Sequence, residues 1–166
     1  MKATKKVTPD PEAQLRKNER KWSKALMSAG FTVVPAVILD RQDSIGLTPV
    51  EMNVLMQLAN YWWQADNLPH PSKRAIAKRM GVSEKTVQRA IKRLEAAKFI
   101  ERRYRHNPVT RGQLTNFYDF SGLITAAKPY AKEETDRREA RRAEETTRGN
   151  RKKAKLRLVK DEGDEP

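Results

Sequence analysis

The residues best placed to do chemistry in this sequence are a run of cations and one amide: Lys85, Thr86, Gln88, Arg89, Lys92 and Arg93. If Val87, Ile91 and Leu94 point inward on a helix, then Lys85, Gln88, Arg89, Lys92 and Ala96 share the opposite face, with Thr86 and Arg93 at its sides. A glutamine amide can pair with adenine through two hydrogen bonds, and arginine or lysine with guanine, in the major groove of double-stranded DNA. Arg102, Arg103, Arg105 and Arg111 follow, with His106 among them. They suit phosphates or a narrow minor groove. Ser72 with Lys73 opens one helix and Ser83 opens the next. The unpaired N–H groups of a helix start are suited to a phosphate.

Other chemistries have little material. There is no cysteine, which excludes disulfides, thiolate nucleophiles and every zinc site that uses Cys. The two histidines, His70 and His106, stand far apart and form no metal pair by sequence; His70 reads as a turn residue. No glycine run matches the phosphate-cradling G-x-x-x-x-G-K-[S/T] pattern. Asp40 and Asp43 read as loop residues rather than a catalytic pair. The expectation is a protein without catalysis, cofactor or metal. Trp62 is expected in the core and Trp63 on a partly covered surface, with base stacking as the alternative for both. Tyr104, Phe117 and Tyr118 read as strand residues facing a core.

The charge distribution supports a binding face. The 166 residues hold 35 Lys and Arg against 21 Asp and Glu, a formal charge of +14. Residues 72–112 alone hold 13 basic and 3 acidic groups, whereas 31–71 hold 1 and 4. Such a block points to a polyanion, nucleic acid first and an anionic membrane surface second. A well-solvated pair of helices is the bland alternative, and under it Gln88 and Arg89 are ordinary surface residues. Apolar residues make up only 37% and mean hydropathy is −0.86, so part of the chain is expected outside a core. The longest apolar run, Phe31 to Leu39, is far below the roughly 20 residues that cross a bilayer. No apolar stretch follows the basic MKATKK start. A cytoplasmic, nucleoid-associated protein is the expectation.

Stepping along the chain, the pattern predicts mainly helices and one β-hairpin. Glu12 to Ala29 carries a thin apolar stripe that Gly30 would end. Pro35 can open a helical turn through Asp40, and Asp43, Ser44 and Gly46 mark a loop. Thr48-Pro49-Val50-Glu51 is a capping box opening a core helix to about Gln64. Asn67 to Pro71 is a turn. Ser72 caps a second helix with Ile76, Ala77 and Met80 inward, and Gly81 ends it. Ser83 caps a third helix, about 84–97, whose inward stripe is Val87, Ala90, Ile91, Leu94 and Ala97; Val82 and Val87 fill the angle between the two. Phe99–Tyr104 and Leu114–Phe120 read as strands. Ser121 opens a further helix with Leu123 and Ile124 packing back. From Lys128 the apolar periodicity is lost, and pairs such as Glu133 with Arg137, Glu134 with Arg138 and Glu144 with Arg148 suggest a solvated helix or disorder. Three regions follow: a basic N-terminal arm (1–30), a domain (31–127) and a charged tail (128–166). The arm and the Arg148–Lys160 stretch are expected to add unspecific affinity for DNA.

Helix, tight turn, helix and hairpin is the order of a winged helix-turn-helix. The segment PSKRAIAKRMGVSEKTVQRAIKRLEAAKFIERR, with RGQLTNFYDFSGLI after it, resembles bacterial winged helix-turn-helix domains of regulators and of replication-initiation proteins of plasmids, phages and integrated elements. The resemblance covers about residues 31–127. It implies a recognition helix after Ser83 that carries Lys85, Thr86, Gln88, Arg89 and Lys92, and a basic wing over about 99–120. Glu84 departs from it, since a basic residue there would favour phosphate; the helix dipole can account for an acid at that position. Three functions stay open: a sequence-specific transcriptional regulator, a replication-initiation or accessory protein at an origin, and a winged helix that binds protein or RNA. A pair of half-sites would need a homodimer, whose interface the sequence does not locate. The tails could recruit replication or transcription machinery.

Overall fold

The computed structural model describes residues 11–105, 112 and 114–151. In chain order the elements are α1 (Pro11–Trp22), α2 (Lys24–Ser28), α3 (Ala36–Asp40), α4 (Gln42–Ile45), α5 (Pro49–Ala59), α6 (Lys73–Met80), α7 (Glu84–Ala96), β1 (Glu101–Arg103), β2 (Phe117–Asp119) and α8 (Ser121–Arg151). The order α5–α6–α7–β1–β2 is that of a winged helix-turn-helix, mainly helical with one small hairpin.

Local chemistry explains most starts and stops. Thr48 caps α5 as expected: its hydroxyl oxygen accepts from the Glu51 N–H at 3.3 Å, and the Glu51 carboxylate accepts from the Thr48 N–H at 2.8 Å. The helix ends at Ala59, short of the expected Gln64, because the chain must turn to lay Trp62 flat on Phe120, with ring centroids 5.3 Å apart. Thr32 Oγ1 donates to Asn60 Oδ1 at 2.6 Å and holds that turn. The expected loop at 43–46 is instead the short α4, closed by Gly46 in a left-handed conformation. The expected helix over 12–29 is two helices, because Ser23 takes φ 77° and recaps the chain.

One core unites these elements. Val54, Leu55 and Leu58 of α5 pack with Ile76 and Ala77 of α6, and with Val87, Ala90, Ile91 and Leu94 of α7. Ile100, Tyr118, Phe120, Leu123 and Ala127 close it from the hairpin side. Three residues placed inward by their spacing lie at the surface: Val82, Ala97 and Ile124. Val82 lies in the turn between α6 and α7, Ala97 is the C-cap of α7, and Ile124 stands beside buried Leu123 near the start of α8. Trp62 packs against the core while Trp63 is exposed, more so than expected, and Tyr104 faces solvent rather than core.

The hairpin is welded to what surrounds it. Arg102 pairs across the strands with Tyr118, and the Tyr118 N–H donates to Pro69 O at 2.9 Å, so the turn before α6 lies against β2. Gly122 lets the start of α8 press on the turn after α7; a Cβ there would stand 1.8 Å from Lys98 O. The Leu123 N–H donates to Phe99 O at 2.8 Å across the same contact. α8 then runs without a break across position 128 and through Pro129. It is held on the core side by Leu123 and Ala127, and farther out by the Tyr130 hydroxyl donating to Ser44 O and by Arg41 pairing with Glu133 at 2.8 Å.

Candidate nucleic-acid interface

The turn between α6 and α7 sets the angle of the site. Gly81 ends α6 with φ 66°, a left-handed conformation that a Cβ disfavours. Ser72 Oγ accepts from the Ala75 N–H at 3.0 Å and Ser83 Oγ accepts from the Thr86 N–H at 3.1 Å. Both hydroxyls are therefore committed to capping. What the two helix starts can offer a phosphate is their remaining backbone N–H groups and the Lys73 side chain.

With Val87, Ala90, Ile91 and Leu94 buried, α7 turns Lys85, Gln88, Arg89 and Lys92 to solvent and leaves Thr86 half-buried at the edge. Among the described residues, none of those four exposed side chains has an ion-pair or hydrogen-bond partner. Their groups can meet base edges and phosphates without first breaking a contact in the protein. Arg93 differs. Its Nε lies 2.9 Å from Oε1 of Glu51, a carboxylate that is almost fully buried while the arginine stays largely exposed. Arg93 thus ties α7 to the start of α5 and sets the helix in place, rather than reaching outward.

The wing arginines are similarly divided. Arg102 is turned back, its Nε 3.1 Å from Glu95 Oε1 and its guanidinium over the Tyr104 ring. Arg103 donates to Asp119 Oδ2 at 2.7 Å yet keeps about half its side chain in solvent. Arg105 lies 4.3 Å over the Phe117 ring. Arg111 and His106 lie outside the described residues.

Asp119 does more than its sequence position suggested. One oxygen takes Arg103, and the other accepts from the Ser121 N–H at 2.8 Å at the start of α8. That backbone hydrogen bond, together with Arg103, holds the Asp119 carboxyl below its ordinary value. Burial pushes the Tyr118 hydroxyl up. Sequence reasoning missed Asp119 and Glu95, and read Glu51 only as a capping-box residue. The signal for Asp119 was available, an aspartate two residues before a helix start. The pairing of Glu51 with Arg93 and of Glu95 with Arg102 carries no local signal, because those partners come from other elements.

Residues 46–100, about a third of the chain, match the family model described as a helix-turn-helix domain. Residues 46–100 are a helix-turn-helix domain. The match spans α5, α6 and α7, and so contains the whole exposed face of α7. Among solved structures, the chain is similar to a protein described as a possible transcriptional regulator from Methanosarcina mazei Go1, at 20% identity and TM-score 0.39, covering 66% of this chain and 85% of that one. It is also similar to YusO from Bacillus subtilis, at 21% identity and TM-score 0.40, over 87% and 100% of the two chains. A third is MarR, at 18% identity and TM-score 0.36, over 84% and 99%. Comparison with curated proteins finds no match. Among the described residues, no helix is long and apolar enough to cross a membrane.

Proposed function

We propose that this protein is a sequence-specific double-stranded DNA-binding protein that regulates transcription. The exposed face of α7 enters the major groove, with Gln88 and Arg89 reading bases and Lys85 and Lys92 meeting phosphates. Arg103, Arg105 and Arg111 of the wing lie along the adjacent backbone, and Lys73 with the first turn of α7 holds a phosphate. Arg102 and Arg93 leave the set of direct contacts assigned from sequence and act by fixing the wing and the helix. The observation that carries this reading is the row of unpaired cations and one amide on an otherwise well-packed helix. A solvated helix tends to pair such charges along its own length. Here none is paired, in a domain whose core holds the helix rigid.

The test is selection of genomic fragments by the purified full-length protein at physiological salt, with Arg89→Ala alongside. A sharp motif near promoters that disappears in the variant is expected. Iterated copies of the motif at an origin would move the role to replication. A diffuse, salt-sensitive profile identical in both proteins would overturn the reading, because net charge alone would then supply the binding.

A further inference from the structure

The exposed face of α7 is not uniformly basic, and the acid at its edge has no partner in the protein. Four acids fall between residues 72 and 120: Glu84, Glu95, Glu101 and Asp119. Glu95 pairs with Arg102, and Glu101 and Asp119 both lie within ion-pair reach of Arg103. Glu84 is exposed. Among the described residues, its carboxylate has no hydrogen-bond or ion-pair partner. Capping does not require that carboxylate, since Ser83 Oγ already takes the Thr86 N–H at 3.1 Å. Helix α6, capped in the same way by Ser72, has no acid in its first turn. The helix dipole favours an acid at this position without giving it a partner.

On DNA, an ionised carboxylate can only accept, and the phosphates are anions with no proton to give it. Base edges do have donors. In the major groove these are the exocyclic amines of adenine and cytosine. On adenine the amine stands beside N7, an acceptor that repels a carboxylate. Cytosine presents its amine with no acceptor next to it, so a carboxylate fits cytosine best. Glu84 and Gln88 are four residues apart, so about 40° separates them around the helix and about 6 Å along it. They share one edge of the exposed face. With bases stacked about 3.4 Å apart, that spacing spans roughly two base steps. We propose that Glu84 is a specificity-determining residue that selects a cytosine about two base pairs from the base read by Gln88. It rejects guanine and thymine, whose acceptors would face it. The proposal rests on the DNA-binding reading above, and adds to it a residue that gives up affinity for most DNA in return for discrimination.

Selection of random double-stranded fragments at physiological salt, by the full-length wild type, Glu84→Gln, Glu84→Ala and Arg89→Ala, tests it. The expected wild-type motif holds a cytosine at one fixed position. Glu84→Gln should turn that position to adenine, the base with which a glutamine pairs. Glu84→Ala should lose the preference there, by about tenfold, and leave every other position unchanged. It should also bind mixed-sequence DNA more tightly, because a charge that phosphates repel is gone. Glu84 is exposed, so circular dichroism should show both variants folded. A carboxylate that serves only the helix start would, when removed, weaken binding to all sequences alike and leave the motif intact, which would overturn the proposal. A motif lost in Arg89→Ala yet identical in the wild type and both Glu84 variants would overturn it too, with the DNA-binding reading left standing. A wild type that selects no motif would overturn both.

Discussion

α7 and α8 have the same net charge and opposite uses for it. α7 holds four basic and two acidic residues and α8 eight and six, so each nets +2. In α8 part of the charge is paired along the helix: Arg137 and Arg138 both bond Glu134 and Arg141 pairs with Glu145 at 3.1 Å, while Glu133 takes Arg41 from between α3 and α4. The Arg138 hydrogen bond holds the Glu134 carboxyl below its ordinary value. In α7 the acids are spent elsewhere. Glu84 sits in the first turn, where the helix dipole favours it, and Glu95 holds Arg102 of the wing. The cations that remain stand in one row on a helix whose other side is buried. A basic helix becomes a binding face through where its counter-charges lie, more than through how many charges it has.

Removing the rigid side of α7 should give the largest effect. Ile91→Ala empties a fully buried site and should cost about 2–5 kcal/mol, read from chemical denaturation. Truncation of exposed Thr135 of α8 to alanine should cost less than about 0.5 kcal/mol. Equal costs would mean that α7 is no better anchored than α8.

Glu51→Ala should cost about 1 kcal/mol, the usual value of a lost capping interaction. The cost stays modest because Arg93, the surviving partner, is solvated. It also frees Arg93, so affinity for mixed-sequence DNA should rise while stability falls. A fall in both would show that the position of α7, rather than its count of free cations, was limiting.

Arg103→Ala should weaken binding to all sequences alike and reduce the salt slope by about one. A change in the preferred sequence would instead make the wing a base reader.

The smallest effect is on pH. Asp119 has a lowered carboxyl value in the fold, so its stabilising share is full above the unfolded carboxylate value near 4 and is lost as pH falls through the folded value. The Ser121 amide resonance should hold steady from neutral pH to about 5 and move below about 4. Movement between neutral pH and 5 would place the titrating group elsewhere.

The helix starts, the Gly81 turn and the inward stripe of α7 were legible in the sequence, because each is decided by residues within a turn or two of one another. The capping box at Thr48 and the caps at Ser72 and Ser83 stand where their residue types put them. What stayed hidden depended on distant partners. The end of α5 at Ala59 follows from Trp62 meeting Phe120. The ion pairs of Arg93, Arg102 and Arg103 follow from Glu51, Glu95 and Asp119, which spacing cannot pair. The sequence therefore overcounted the free arginines, while the exposed face of α7, which a helical wheel describes fully, was read as it stands.

The central claim is that α7 reads DNA through its unpaired face whereas the charges of α8 do not. Affinities of Arg89→Ala and Arg138→Ala for the selected sequence and for a shuffled one test it most directly. The account predicts that Arg89→Ala loses about 1–3 kcal/mol of discrimination between the two DNAs and that Arg138→Ala loses none. Equal discrimination by both variants and the wild type would contradict it.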